Sequence, residues 1–232
     1  MIIVHHLNNS RSQRILWLLE ELGLPYEIKH YKRKSDKLAP KELYDVHPLG
    51  KSPVITDTTR NEVVAESGAI IDYIIKYYGK GQGLPSSDNE DADNFWKQFA
   101  EASFMPTLVM KFVFMIVPTQ APFFVRPVVS MITNQIQQRF TDPDLKRKVE
   151  FSAQALKDRD STGRTWIAGG DNNGGPTAAD YQMLFPFEAI TSGRMDAEMV
   201  PEVIKNWVDW VHARPAYHRA YEKGGPYDYA KL

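Results

Sequence analysis

"MIIVHHLNNSRSQRILWLLEELGLPYEIKHY", residues 1–31, contains a complete strand–helix–strand unit. An apolar run opens it, and the pattern predicts a strand over 2–6. Ile15, Leu18, Leu19 and Leu22 then recur at i, i+3, i+4 and i+7, which predicts an amphipathic helix over about 11–22. Gly23 and Pro25 close that helix, because glycine takes the left-handed conformation past a helix end and proline cannot continue one. A second strand follows over 26–31. Between strand and helix sits "NNSRS", a polar cluster that either caps the helix or does chemistry.

Working outward, a short helix is expected over about 40–46, strands over 53–57 and 62–65, and a helix over 67–78. "ITDTTRNEVV" reads as a hairpin, since two β-branched runs flank a polar turn. A β-α-β unit followed by α-β-β-α predicts a mixed four-stranded sheet of the thioredoxin type. "GKGQGLPSSDNEDA" reads as a linker ending in the acidic first turn of a new helix. The expected division is therefore a thioredoxin-like domain over 1–80, a linker over 81–90 and an all-helical domain over 91–232. Its helices are expected at about 91–117, 122–140, 143–159, 177–191, 201–213 and 215–222. In "GGPTAADYQ", Thr177 and Asp180 have the spacing of a capping box, with Pro176 and Tyr181 as its staple, which gives Asp180 a folding role.

Composition bounds the function. With 28 basic and 29 acidic residues there is no broad field to favour nucleic acid, so a small-molecule or protein partner is expected. The chain has no cysteine, which excludes disulfides, zinc–thiolate sites and a protein thiol nucleophile. Thiol chemistry must then use a thiol carried by the ligand. The apolar start is too short for a signal peptide, so a soluble intracellular protein is expected. Residues 104–132 are strongly apolar, but the charge-free piece "FVFMIVPTQAPFFV" is short and holds Pro118 and Pro122. It reads as two buried helices joined near those prolines, with no integral membrane segment.

"NSRSQR", "HPLGKSPVI", "AESGAIIDYI" and "TAAD", in this order across nearly the whole chain, resemble the soluble glutathione transferase family, in its serine-type, theta-like and fungal or bacterial branches. The resemblance implies a glutathione transferase fold, a cis peptide at Pro53, and glutathione as co-substrate with no cofactor and no metal. It implies that the backbone of Ser52 pairs with the cysteinyl part of glutathione and that Glu66 and Ser67 hold its γ-glutamyl end. Lys51 is placed to meet the glycyl carboxylate. An apolar residue is usual where this chain has Ser52.

A thiolate is the nucleophile in thiol chemistry, and a free thiol with pKa near 8.5 is mostly protonated at neutral pH. The motif puts Ser10 as thiolate partner, four residues before Arg14, with Ser12 and Asn9 as alternatives. Arg11 either adds positive field or faces water. A bland alternative is open too, because Ser10 and Gln13 have the S-x-x-Q capping spacing. His5 and His6 are expected to be structural or solvent-facing. The second substrate is expected to be a hydrophobic electrophile resting on Met105, Val109 and Phe112. The resemblance implies a homodimer, and the lack of a signal-peptide pattern leads to an expected cytoplasmic location, with a peroxisomal address at Ala230–Lys231–Leu232 as the alternative. The rival function is a binding or regulatory module that keeps the fold with little turnover.

Overall fold

The computed structural model describes residues 1–36 and 38–227, so the Ala230–Lys231–Leu232 signal lies outside the described residues. Four strands, β1 (Ile2–Leu7), β2 (Tyr26–Tyr31), β3 (Val54–Asp57) and β4 (Glu62–Ala65), form one mixed sheet in the order β2-β1-β3-β4. β1 and β2 run parallel, while β3 is antiparallel to both β1 and β4. The crossover between the parallel strands is α1 (Gln13–Glu21). It stops where the sequence says it should: Gly23 has φ 61°, its N–H donates to the Glu20 carbonyl, and the Leu24 N–H donates to that of Leu19. This is the paired closure of a Schellman end.

α2 (Ser67–Tyr78) covers the sheet, and the helical remainder comprises α3 (Glu90–Gln98), α4 (Met105–Gln120), α5 (Arg126–Ile136), α6 (Asp142–Arg159), α7 (Ala178–Ala189), α8 (Glu202–His212) and α9 (Pro215–Gly224). α7 is buried along its whole length and forms the axis of this half. The box at its start is formed. The Asp180 carboxylate accepts from the Thr177 N–H at 2.9 Å and from the Ile167 N–H at 2.8 Å. Burial pushes the Asp180 carboxyl up to about 7, against the pull of those donors. Glu20 joins the two halves by receiving Arg219 at 2.7 Å together with Lys223 and Tyr26, and Glu21 receives Arg214 from α9's start.

Three expectations are corrected. The segment over 40–46 is only a tight turn, Lys41–Leu43, because a piece this short has a single buried anchor, Leu43, to hold it. The helices expected at 122–140 and 143–159 form one run: Pro143 lacks an N–H, and a widened π turn over Gln137–Thr141 absorbs the missing bond where a break was expected. The third concerns residues 104–132. The chain does turn near Pro118 and Pro122, but the helices on either side are not buried. Val113, Met115, Val128, Met131 and Ile132 are exposed, and Phe123 at the turn is 82% exposed. The run Ser87–Gln120, with mean hydropathy 1.6 in its most apolar window, is long and apolar enough to cross a membrane. Only its first part packs inward, through Trp96, Phe104, Met105 and Leu108.

Candidate active site

The polar cluster after β1 is shaped by its neighbours. Asn8 Oδ1 accepts from the Arg33 N–H at 2.8 Å, and Arg33 Nη2 donates to the Asn9 carbonyl at 3.1 Å, which ties the loop to the end of β2. Asn9 itself has φ 50°, a left-handed conformation that asparagine tolerates better than most residues. The turn directs the Ser10 side chain back toward Ser52, with the two hydroxyl oxygens 3.5 Å apart.

Ser10 is not a helix cap. α1 starts at Gln13, the capping position is Ser12, and no side chain makes a capping bond there. Its hydroxyl instead lies 2.6 Å from the Ser12 hydroxyl, which lies 2.8 Å from His6 Nδ1. Ser12 is wholly buried and lines no cavity beside Ser10, whereas Ser10 and Asn9 both border one. Of the two roles expected for the histidines, the structural one holds. Both are buried: His5 bridges Tyr31 and Thr56, and His6 backs the serine pair. Burial, reinforced by His30, lowers the His6 pKa to about 4, so its ring is neutral at pH 7. His6 also bonds the Gly224 backbone. A neutral ring that donates to that carbonyl must accept from Ser12, which in turn leaves Ser12 to accept from Ser10.

Two adjoining cavities meet at Ser52 and Arg11. The first, of about 240 Å³, is lined by Lys51, Ser52, Pro53, Glu66 and Ser67. The Ser52–Pro53 peptide is cis. Ser52, where an apolar residue is usual, donates to the His5 carbonyl at 2.8 Å and receives the Leu7 N–H at 3.2 Å, locking the turn onto β1. Glu66 sits at φ 70°, a strained value for a side chain of its size that costs roughly 1–3 kcal/mol. That geometry lets α2 begin at Ser67, whose side chain is buried at the free N–H groups of the helix start. Ser67 is therefore the first helical residue and Glu66 the capping position.

One residue here escaped the sequence reading. Glu101, from the helical half, receives Arg11 at 2.6 Å and Arg14 at 2.8 Å, and accepts from Ser67 at 3.5 Å. Burial would raise its pKa, but the two guanidinium groups prevail and hold it below the usual carboxylate value. Its signal in the sequence is a lone acid in the apolar "FAEASFM". Arg14 is buried and also donates to the Gln182 carbonyl at 3.0 Å and to its side chain. Glu66, Ser67 and Glu101 thus offer two carboxylates beside helix N–H groups, an arrangement suited to an α-amino acid end.

The second cavity, of about 200 Å³, lies on the other side of Ser10. Met105, Val109 and Phe112 all line it, together with Phe185 from α7. Every residue proposed from the sequence to touch glutathione or the second substrate therefore borders one of these two cavities, Ser12 excepted.

A thioredoxin-like sheet with a cis-proline turn, leading into a helical half that closes over it, is the architecture of glutathione transferases. Residues 1–76 match the family model described as the glutathione S-transferase N-terminal domain. The chain is 34% identical over 225 residues to glutathione S-transferase 3 of Schizosaccharomyces pombe, covering 96% of this chain and 88% of that protein. It is 30% identical to glutathione S-transferase 1 of Saccharomyces cerevisiae, covering 96% and 95%. A solved glutathione S-transferase from Actinobacillus pleuropneumoniae superposes with TM-score 0.77 at 28% identity, covering 100% of this chain and 97% of that one. A glutathione transferase homologue from Lodderomyces elongisporus, solved with two glutathione molecules per subunit, shares the fold at TM-score 0.73 and 18% identity. The chain belongs to the glutathione S-transferase family.

Proposed function

We propose that the protein is an active glutathione transferase that binds glutathione as its thiolate and directs the sulfur onto an electrophilic carbon or a peroxide oxygen. The observation that carries this reading is the position of Ser10, whose hydroxyl stands where the Glu66–Ser67 cavity adjoins the one lined by Met105 and Phe112. A tripeptide in the first cavity would present its γ-glutamyl end to Ser67, Glu66 and Glu101, its cysteinyl backbone to Ser52, and its glycyl carboxylate to Lys51. Its sulfur would then lie beside Ser10, at the mouth of the second cavity.

In this reading Ser10 turns its hydroxyl from Ser12 to the sulfur, and the charge of Arg11 adds to the stabilisation of the anion. The bound thiol's pKa falls below the 8.5 of a free one, so more of it is nucleophilic at neutral pH. In conjugation the sulfur lone pair forms the new C–S bond and the leaving group departs with its electrons. With a peroxide, the sulfur attacks one oxygen, the O–O bond breaks with release of an alcohol, and a second glutathione thiol displaces the hydroxyl of the resulting sulfenic acid as water to give the disulfide.

The test is turnover of 1-chloro-2,4-dinitrobenzene and of cumene hydroperoxide with glutathione, alongside calorimetric glutathione binding. A hydrogen bond to a charged group is worth about 1.5–3 kcal/mol, so Ser10→Ala should lower kcat/KM roughly 10- to 100-fold while glutathione still binds. Binding without turnover of any electrophile or peroxide would give the lead to a binding or regulatory module. A homodimer is part of the same proposal, supported by the exposed apolar faces of α4 and α5.

A further inference from the structure

The cavity beside Ser10 has a wall that a purely apolar substrate would not need. Three arginines, Arg11, Arg33 and Arg194, line it, and no carboxylate does among the described residues. Arg11 is matched by Glu101, which stands outside this cavity. Arg33 enters from the end of β2, and Arg194 from the turn that follows α7. Each makes contacts of its own, yet a guanidinium carries five N–H donors in a rigid fork and can add a planar anion to existing partners. Arg194 is 2% exposed and its guanidinium lies 4.6 Å from the centre of the Phe112 ring. Burial pushes its pKa down, against a pull from Tyr227, and the like charge of Arg11 adds to the lowering.

We propose that the second substrate is an electrophile carrying a carboxylate, its hydrocarbon part resting on Met105, Phe112 and Phe185 and its anion held by Arg194 and Arg33. This rests on the transferase reading and refines its substrate class. The size of the cavity fits it: about 200 Å³ holds a ring-scale fragment and not a long apolar chain.

The experiment compares ethacrynic acid with its methyl ester, both with glutathione and with the uncatalysed rate subtracted. The two carry the same unsaturated ketone, so the C–S bond formed and the carbon that takes the proton are identical, and only the remote anion differs. Charge-assisted hydrogen bonds predict a kcat/KM ratio of acid to ester of about tenfold or more in the wild type. The ratio should fall toward unity in Arg194→Gln and in Arg33→Gln, with Arg194→Lys, which keeps the charge without the fork, in between. A wild type that treats both probes alike or prefers the ester overturns the inference, and so does a preference that survives in both glutamine variants. Conjugation of the ester reports on the transferase reading separately. Should neither probe be conjugated, that reading fails for these electrophiles, and the calorimetric affinity ratio of the saturated, unreactive acid and ester decides the inference by the same tenfold criterion.

Discussion

Ser10, Ser12 and His6 form a chain that starts at the cavity and ends in the core at the Gly224 backbone. Because burial lowers the His6 pKa to about 4, the unfolded chain takes up a proton below pH 6.5 that the folded protein refuses until near pH 4. More protons bound in the unfolded state means that stability rises with pH across this window and is lost as pH falls through it. His6 alone should cost about 2 kcal/mol between pH 7.5 and pH 5, and His5, also lowered by burial, acts in the same direction. Asp180, whose carboxyl is pushed up to about 7, acts in the opposite direction, so urea unfolding of the wild type and of His6→Gln at both pH values isolates the His6 part. The stability change from pH 7.5 to pH 5 should be about 2 kcal/mol more favourable in the variant, and the same change in both would mean that His6 is charged in the folded protein. The Ser12 position is informative for a different reason. Removing its hydroxyl in Ser12→Ala frees the Ser10 proton from its present acceptor, so the bound glutathione thiol should titrate lower than in the wild type, read by thiolate absorbance near 240 nm; a higher value would show that Ser12 is needed to hold Ser10 in place.

The elements share one apolar core across both halves and are joined by polar seams as well. α1 lies between the sheet and the helical half, with Arg14 reaching Gln182 on α7 and Glu101 near the start of α4. Glu101 thus holds two arginines and one end of α2, and its loss leaves the fully buried Arg14 without its counter-charge. Breaking a buried pair from one side costs about 3–5 kcal/mol, and because Glu101 is partly exposed we expect about 2 kcal/mol for Glu101→Gln, measured by urea unfolding at pH 7. Glutathione affinity should fall in the same variant by calorimetry. The carboxyls of Glu101, Asp57 and Glu20 are all held low in the folded state. Their contribution is complete above the unfolded values, 3.8 for Asp57 and 4.5 for the two glutamates, and is lost as pH falls through their lower folded values, so Glu101→Gln should also flatten the acid limb of the wild-type stability curve.

Across the whole molecule, exposed apolar side chains concentrate on α4, on α5 and at the Phe123–Phe124 turn between them. Monomers rarely leave such a surface open to water. Sedimentation velocity at micromolar concentration should therefore find two chains per particle, and Met131→Asp, which places a charge on the exposed part of α5, should shift the distribution toward one chain. A wild type that sediments as a single chain would remove the homodimer from the proposal.

How much of this was legible beforehand depended on the range of the signal. Local patterns carried the sheet, α1 with its glycine closure, α2 and the capping box at Thr177, because spacing, turn residues and caps act within a few residues of one another. The lining of the first cavity was legible as well, since each of its residues named from the sequence lies in a short motif at a strand end or a helix start. Tertiary structure decided the rest. It made Ser10 a cavity residue and Ser12 a buried one, since two hydroxyls two residues apart differ only in which way the turn points them. It brought Glu101 to Ser67 and Arg14 across 34 and 87 positions of chain. It also left residues 109–132 largely on the surface, because an apolar run states a preference for burial but not which surface will cover it. Arg11, Arg33 and Arg194 are scattered through the sequence as ordinary surface-type residues, and only the folded chain gathers their charge around one cavity, where electrostatic interaction depends on distance in space and not on separation along the chain.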